Sequence, residues 1–174
     1  VFDWKVPLEW VVYDAYIICP DGKKIADFKE NNLHLVGYSI PIKKTLSLSK
    51  LKENIHTLKN VPTAIPYVTS YYKKNWGFCL SYNKLKKLKN GNYRVIINTK
   101  LIKKSLTYGE IYLKGRSKKE IFLSTNICHP SLANNEVSGP VVTAFIAKWL
   151  SGLKNKKYSY RIIFIPETIG ALVY

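Results

Sequence analysis

The sequence lacks methionine altogether, has only three cysteines and contains no long apolar run. Cys19, Cys79 and Cys128 are far apart and form no Cys-x-x-Cys pair, which excludes a zinc ribbon and a disulfide framework. Each cysteine lies in an apolar context, which favours buried, reduced thiols and a cytoplasmic protein. No run approaches the roughly 18 to 20 apolar residues that cross a bilayer, so we expect no membrane partner.

Both ends of the sequence indicate an internal fragment of a longer protein. The chain does not begin with methionine, and its last residues, 171–174, are apolar and follow a predicted strand without a stop signal. Residues 1–10 lack a basic segment followed by an apolar one, so no secretory signal is predicted. A hydrophobic content of 47% with 22% charged residues favours a globular protein over a disordered one.

Acidic residues are scarce, with 11 against 28 basic residues and a net charge of +17. Such an excess can indicate an anionic partner such as nucleic acid. However, the lysines are scattered in pairs at predicted turns, and the arginines that nucleic-acid readers favour are few. We therefore do not expect a nucleic-acid partner, and a basic nucleic-acid-binding regulator remains only an alternative.

The first part of the chain, residues 1–116, is predicted to be a β-rich domain with one short helix. Turn signals and β-branched residues define its elements: strands at Trp10–Ile18, Lys24–Phe28, Leu33–Ile40, Tyr93–Asn98 and Ser105–Leu113, and a helix within Ser47–Leu58. We expect the last two strands to pair as a hairpin. The best domain boundary falls at Gly115–Lys118, which makes residues 117–174 a second domain.

The second domain has the pattern of a β-α-β unit, with strands at Glu120–Ile127 and Tyr160–Ile165 around a helix at Ser138–Leu150. Both strands are almost continuously apolar, which predicts an α/β fold with a parallel sheet covered on both faces. Ser138 is the expected helix cap and Gly152 the expected stop. Helical spacing predicts the face that packs on the sheet: Val142, Phe145, Ile146 and Trp149.

Polar residues follow each predicted parallel strand. His129 comes after the first strand and Glu167 after the second, and the loop between them contains Asn135 and Glu136. Ligands bind at the carboxyl ends of parallel strands, so we expect His129 and Glu167 to lie on one edge of the sheet. An imidazole can bind zinc and a carboxylate can activate water there. Glu136 is also explained as a charge that favours a helix amino terminus.

These residues resemble the co-catalytic zinc aminopeptidases of the leucyl-aminopeptidase type. The resemblance rests on His129, the Asn135-Glu136-Val137-Ser138-Gly139 loop and the Glu167-Thr168-Ile169-Gly170 turn. Nearly the whole chain is similar to a bacterial aminopeptidase-like family of poorly known function, often associated with polysaccharide biosynthesis. Further strings carry this match, at residues 1–4, 65–72, 76–80, 106–110 and 128–134. The resemblance implies a peptidase-like α/β/α domain into which the β-rich domain is inserted.

The resemblance also implies site roles. His129 matches a metal ligand, and Glu167 matches the general base that activates water. Asn135 stands where the peptidases have a metal-bridging Asp, Thr168 where they have a second Glu, and Ser131 where an Asp would orient the histidine. An amide is a weak zinc ligand, so we expect one zinc ion rather than two. His129 and Asn135 are its ligands in this sequence, and the peptidase pattern implies a further carboxylate and a further histidine beyond residue 174.

The leading functional hypothesis is a zinc-dependent aminopeptidase-like hydrolase that acts on an amide bond of a small peptide or a sugar conjugate. A catalytically inactive relative that serves as a binding or scaffold protein in polysaccharide biosynthesis is the main alternative.

Overall fold

A computed structural model describes residues 5–71, 73–129 and 132–174 of the chain. The described residues form two units: Leu8–Lys103 is the first, and Lys104–Tyr174 together with residues 5–7 is the second. The boundary predicted at residue 116 lies later in the chain than this division. The chain changes units earlier because the strand at Gly109–Leu113 pairs within the second unit.

The first unit is β-rich, as predicted. Its strands are β1 (Glu9–Ile18), β2 (Lys24–Ile25), β3 (Ile42–Ser47), β4 (Ile55–His56), β5 (Phe78–Cys79) and β6 (Asn92–Ile102), and its short helices are α1 (Leu48–Lys52), α2 (Tyr82–Lys86) and the 3₁₀ turn Asn32–His34. Four strands form an antiparallel sheet in the order β2-β1-β6-β3, and β4 pairs in parallel with β5. The helix α2, which Ser81 caps, has no counterpart in the prediction.

The predicted hairpin in the first unit is wrong. The segment Tyr93–Asn98 lies within β6, which pairs with β1 on one side and β3 on the other rather than with Ser105–Leu113. Alternate side chains of β6, namely Tyr93, Val95 and Ile97, are buried in the core of the unit. The buried face of a strand fixes its partners, and here the partners that cover it are distant in sequence.

Three other predicted elements of the first unit are shorter or different. The helix predicted within Ser47–Leu58 is only α1, although Ser47 caps it as expected by accepting the Lys50 N–H. The strand predicted at Lys24–Phe28 stops after two residues, because Ala26 has a left-handed backbone with φ of 51°. The segment Leu33–Ile40 forms no strand and begins within the 3₁₀ turn.

The second unit confirms the predicted β-α-β unit. Its elements are β7 (Gly109–Leu113), β8 (Glu120–Asn126), α3 (Ala133–Glu136), α4 (Ser138–Gly152), β9 (Ser159–Ile165) and α5 (Ile169–Val173). The strands form a mixed sheet in the order β7-β9-β8, in which β8 and β9 are parallel and β7 is antiparallel to β9. The two parallel strands are therefore neighbours, as the site prediction requires.

The face of α4 that packs on the sheet is not the predicted one. The predicted face is exposed: Val142, Phe145, Ile146 and Trp149. A stripe of mostly smaller side chains is buried instead: Thr143, Ala147 and Leu150. Ala147 and Leu150 form a core with Ile162 of β9. Small side chains on this stripe let the helix approach the sheet closely, which a stripe of Phe and Trp would not.

The ends of α4 also differ from the prediction. Ser138 is the first helical residue rather than the cap, and its hydroxyl donates to the carbonyl oxygen of Asn134. Gly152 is the last helical residue rather than the residue after the end. The helix has 15 residues. Across residues 5–71, 73–129 and 132–174, no helix has both the length and the apolar character needed to span a membrane.

Candidate active site

The predicted site lies where the parallel strands β8 and β9 end. Asn126, the last residue of β8, is opposite Ile165, the last residue of β9. Beyond the strands, the Ile127 N–H donates to the Ile165 carbonyl oxygen at 3.0 Å, so the segments that follow β8 and β9 are adjacent where they leave the sheet. His129 lies in the segment after β8, and Glu167 lies in the segment after β9. The expectation that both residues lie on one edge of the sheet is confirmed.

The side chains of His129 and Glu167 are in direct contact. Nε2 of His129 lies 3.1 Å from Oε2 of Glu167. A neutral ring donates its Nε2–H to the carboxylate here, and a protonated ring forms an ion pair. The side chains are 21% and 42% exposed, respectively. Solvent can therefore reach the carboxylate while the imidazole is largely enclosed, which suits a group that takes a proton from water.

Cys128 belongs to the same cluster. One ligand atom from each of Cys128, His129 and Glu167 lies within 4.8 Å of the others. Partial burial of the sulfur raises the pKa of the thiol, the Glu167 backbone N–H lowers that pKa, and the negative charges of Glu136 and Glu167 raise it. The sequence predicted a buried thiol, which is wrong for this residue, because Cys128 as a whole is exposed. Cys79 does fit the prediction: it is buried, which raises its thiol pKa to about 12.

Glu136 connects the loop before α4 to the end of β8. Its side chain is buried, and Oε2 accepts the backbone N–H of Cys128 at 2.6 Å. The other oxygen, Oε1, is buried and has no hydrogen-bond partner within the described residues. A carboxylate in this state is costly unless a cation or donor faces it. Sequence reasoning counted Glu136 among the polar residues of this loop and also explained it as a helix-terminal charge, but it did not predict this contact.

The turn after Glu167 has an unusual backbone. Thr168 has φ of 56° and ψ of −67°, and the Ile169 N–H donates to the Glu167 carbonyl oxygen at 2.6 Å. This is a classic-type γ-turn, which is rare and strained for a residue with a branched side chain. Strained backbone persists where the surrounding structure imposes it and often accompanies function. Gly170 is required nearby, since an added Cβ would collide with Ile165.

The structure thus brings together two of the residues named from the sequence, His129 and Glu167. Asn135, the other expected ligand, is exposed on α3 directly before Glu136, and its metal role stays a prediction. Ser131 lies outside the described residues. Cys128 and Glu136 were not recognised as site residues. The signal that could have found them is their position, since one directly precedes the histidine and the other is a charged residue in the adjoining loop.

The donor set of this cluster fits zinc. Thiolate, imidazole and carboxylate are the groups that bind zinc in proteins, at distances of about 2.0 to 2.3 Å. Ligand atoms around one such ion lie roughly 3 to 4 Å apart, so a separation of at most 4.8 Å needs only small side-chain movements. The Glu136 carboxylate, whose Oε1 has no hydrogen-bond partner among the residues that the structure describes, lies beside the cluster.

Comparison with known proteins identifies the family. A family described as "Domain of unknown function (DUF2172)" matches residues 9–100, which is more than half of the chain and falls within the first unit. The chain belongs to this family.

Two relatives extend the match to the second unit. A curated protein of Clostridium acetobutylicum, with the name "Putative polysaccharide biosynthesis protein with aminopeptidase-like domain", is 51% identical over all 174 residues. A crystal structure described as a putative peptidase from Clostridium acetobutylicum superposes with a TM-score of 0.91 at 51% identity and covers 98% of the chain. The chain spans 40% of the length of each relative. The predicted aminopeptidase-like fold is thereby confirmed.

Proposed function

We propose that the chain carries part of the active site of a zinc-dependent, aminopeptidase-like hydrolase that cleaves an amide bond. The observation that carries the proposal is the contact between the His129 imidazole and the Glu167 carboxylate at the ends of neighbouring parallel strands. Ligand sites in open α/β sheets are found at this position. The names of the two relatives, one with an aminopeptidase-like domain and one a peptidase, support the same class of reaction.

His129 and Asn135 would hold the zinc ion, and Glu167 would act as the general base. When bound, zinc supplies Lewis acidity that polarises the scissile carbonyl group. Glu167 accepts a proton from the attacking water and delivers it to the leaving amine, a role that its solvent-accessible carboxylate permits. In the described structure Oε2 contacts Nε2 of His129.

The proposed substrate is a small peptide or an amide-bearing sugar conjugate in the cytoplasm. The name of the curated relative includes polysaccharide biosynthesis, which favours the sugar conjugate. The same name supports a second candidate, a scaffold protein that retains the fold without the reaction. Asn135 and Thr168 favour this candidate, because neither supplies the carboxylate that the peptidase pattern has there.

Hydrolysis by the protein at its full natural length tests the proposal. The substrates are aminoacyl anilides and N-acylated amino sugars, and the variants are Glu167→Gln and the control Glu53→Gln, whose carboxylate is 60% exposed in the first unit. We expect hydrolysis of at least one substrate, a loss of about 10²- to 10⁴-fold in Glu167→Gln and no change in the control. A folded wild-type protein that binds an amino sugar but cleaves none of the panel would support the scaffold instead.

A further inference from the structure

We propose that Cys128 is a metal ligand of this site, so that the chain supplies a thiolate and an imidazole from two consecutive residues. The inference deepens the proposed function and rests on it for the presence of a metal. No residue in the peptidase pattern corresponds to this ligand, and the sequence context of Cys128 predicted only a buried, reduced thiol.

The first support is position. Cys128 and His129 leave β8 together, and their ligand atoms and a carboxylate oxygen of Glu167 form one group within 4.8 Å. The Glu167 backbone N–H faces the sulfur.

The second support is the hydrogen bond that fixes the backbone of Cys128. The Cys128 N–H is fixed by the Glu136 carboxylate at 2.6 Å, and Glu136 is only 8% exposed. A charge-assisted hydrogen bond of this length restricts the residue that carries the sulfur. A metal ligand needs such restriction, whereas an incidental surface cysteine does not.

The third support is unbalanced negative charge. Oε1 of Glu136 is buried without a partner in the described structure, the other oxygen of this carboxylate accepts the Cys128 N–H, and the Glu167 carboxylate lies within the cluster. The net charge of the chain is +17, yet within the part of the chain that the structure describes neither carboxylate forms an ion pair with a lysine or arginine. A divalent cation at the thiol would balance this local charge.

Binding of the metal requires that the Cys128 thiol lose its proton. The S–H bond breaks, the proton passes to bulk water, and the sulfur electron pair forms the bond to the metal. A thiolate is a soft ligand, so the site should favour zinc, cobalt or cadmium over manganese or magnesium. The choice of metal is therefore a property of Cys128, separate from the proton transfer assigned to Glu167.

Cobalt spectroscopy tests the proposal on the protein at its full natural length. The probe is Co²⁺ alone, and the readout is the thiolate-to-cobalt charge-transfer band in the near ultraviolet. The variants are Cys128→Ser, His129→Ala and the control Cys19→Ser, a partly buried thiol of the first unit. We expect the band in wild type and control and its absence in Cys128→Ser, with zinc affinity lowered by more than the roughly 10- to 100-fold typical of an outer-shell partner.

X-ray absorption of the zinc-loaded wild type gives the same information without a variant, since a sulfur ligand appears at about 2.3 Å. Metal binding that requires His129 but shows no sulfur ligand, or a band that persists in Cys128→Ser, would overturn the thiolate proposal and leave the proposed hydrolase intact. Absence of any metal binding by the folded protein would overturn both.

Discussion

Replacement of Thr168 by glycine should stabilise the second unit. Thr168 has φ of 56° and is held in the γ-turn that follows Glu167. A threonine is strained in this region because its Cβ substituents crowd the backbone, whereas glycine adopts it without that penalty. Thr168 is exposed, so its side chain contributes little packing that the substitution would remove.

The expected gain follows from two opposing effects. Strain of this kind costs about 1 to 3 kcal/mol. Glycine also raises the conformational entropy of the unfolded chain, which offsets about 0.4 to 1 kcal/mol of the gain in stability. The difference is a net stabilisation of about 0.5 to 2 kcal/mol, or roughly 2- to 30-fold in the opening equilibrium of the unit.

Hydrogen exchange of the buried β9 amides, at Ile162, Ile163 and Ile165, measures the opening of this unit separately from the first. The matched control is Thr107→Gly, an exposed threonine of the same unit without a positive φ. The control should lose protection through chain entropy alone, while Thr168→Gly should gain it. Equal losses of protection in the two variants would refute the strain argument. If the strained turn also positions Glu167, hydrolysis should fall although stability rises.

Three further predictions concern packing and pH. Leu150→Ala should lower the free energy of unfolding, measured with denaturant, by about 2 to 5 kcal/mol, because Leu150 is buried. Trp149→Ala should lower it by only about 0.5 kcal/mol, because Trp149 is 65% exposed. A larger loss in Trp149→Ala than in Leu150→Ala would contradict the observed face of α4. Gly115→Ala should destabilise by about 1 to 3 kcal/mol, since its Cβ would strike the Tyr158 carbonyl group. Gly152→Ala should be neutral or stabilising, because a Cβ added at Gly152 has no atom within 4 Å. An equal loss of stability in the Gly115 and Gly152 variants would contradict this prediction.

The third of these predictions follows from burial, which lowers the pKa of His34 below its usual 6.5. The unfolded chain therefore binds this proton first as the pH falls, so the unfolding free energy should decrease from about pH 6.5 downwards. His34→Gln should flatten this dependence in denaturant unfolding at several pH values, and an unchanged slope would contradict the assignment.

The parts of the fold that depend on local pattern could be predicted from the sequence. The two apolar strands and the helix between them fixed the β-α-β unit, and with it the meeting of His129 and Glu167, because parallel neighbours end at one edge. The pairing of β6 with β1 and β3 could not be predicted in the same way. It depends on which distant strand covers a buried face, and nothing in a local turn signal encodes that choice.

The face of α4 that packs on the sheet and the details of the site could not be predicted from the sequence pattern, for different reasons. Phe145 and Trp149 have the spacing of a buried stripe, yet Ala147 and Leu150 pack on the sheet because helix and strand approach closely there. The γ-turn at Thr168 is a backbone state imposed by the surrounding structure. The zinc assignment came from the resemblance to aminopeptidases rather than from periodicity.

The most direct test of the proposed site is the zinc content of the protein purified at its full natural length. We expect about one zinc ion per chain, which a chelator removes and added zinc restores. In His129→Ala this zinc should be lost while the fold, followed by circular dichroism, is unchanged. A folded wild-type protein that contains no zinc and takes none up, or a His129→Ala variant that retains its zinc, would contradict the account.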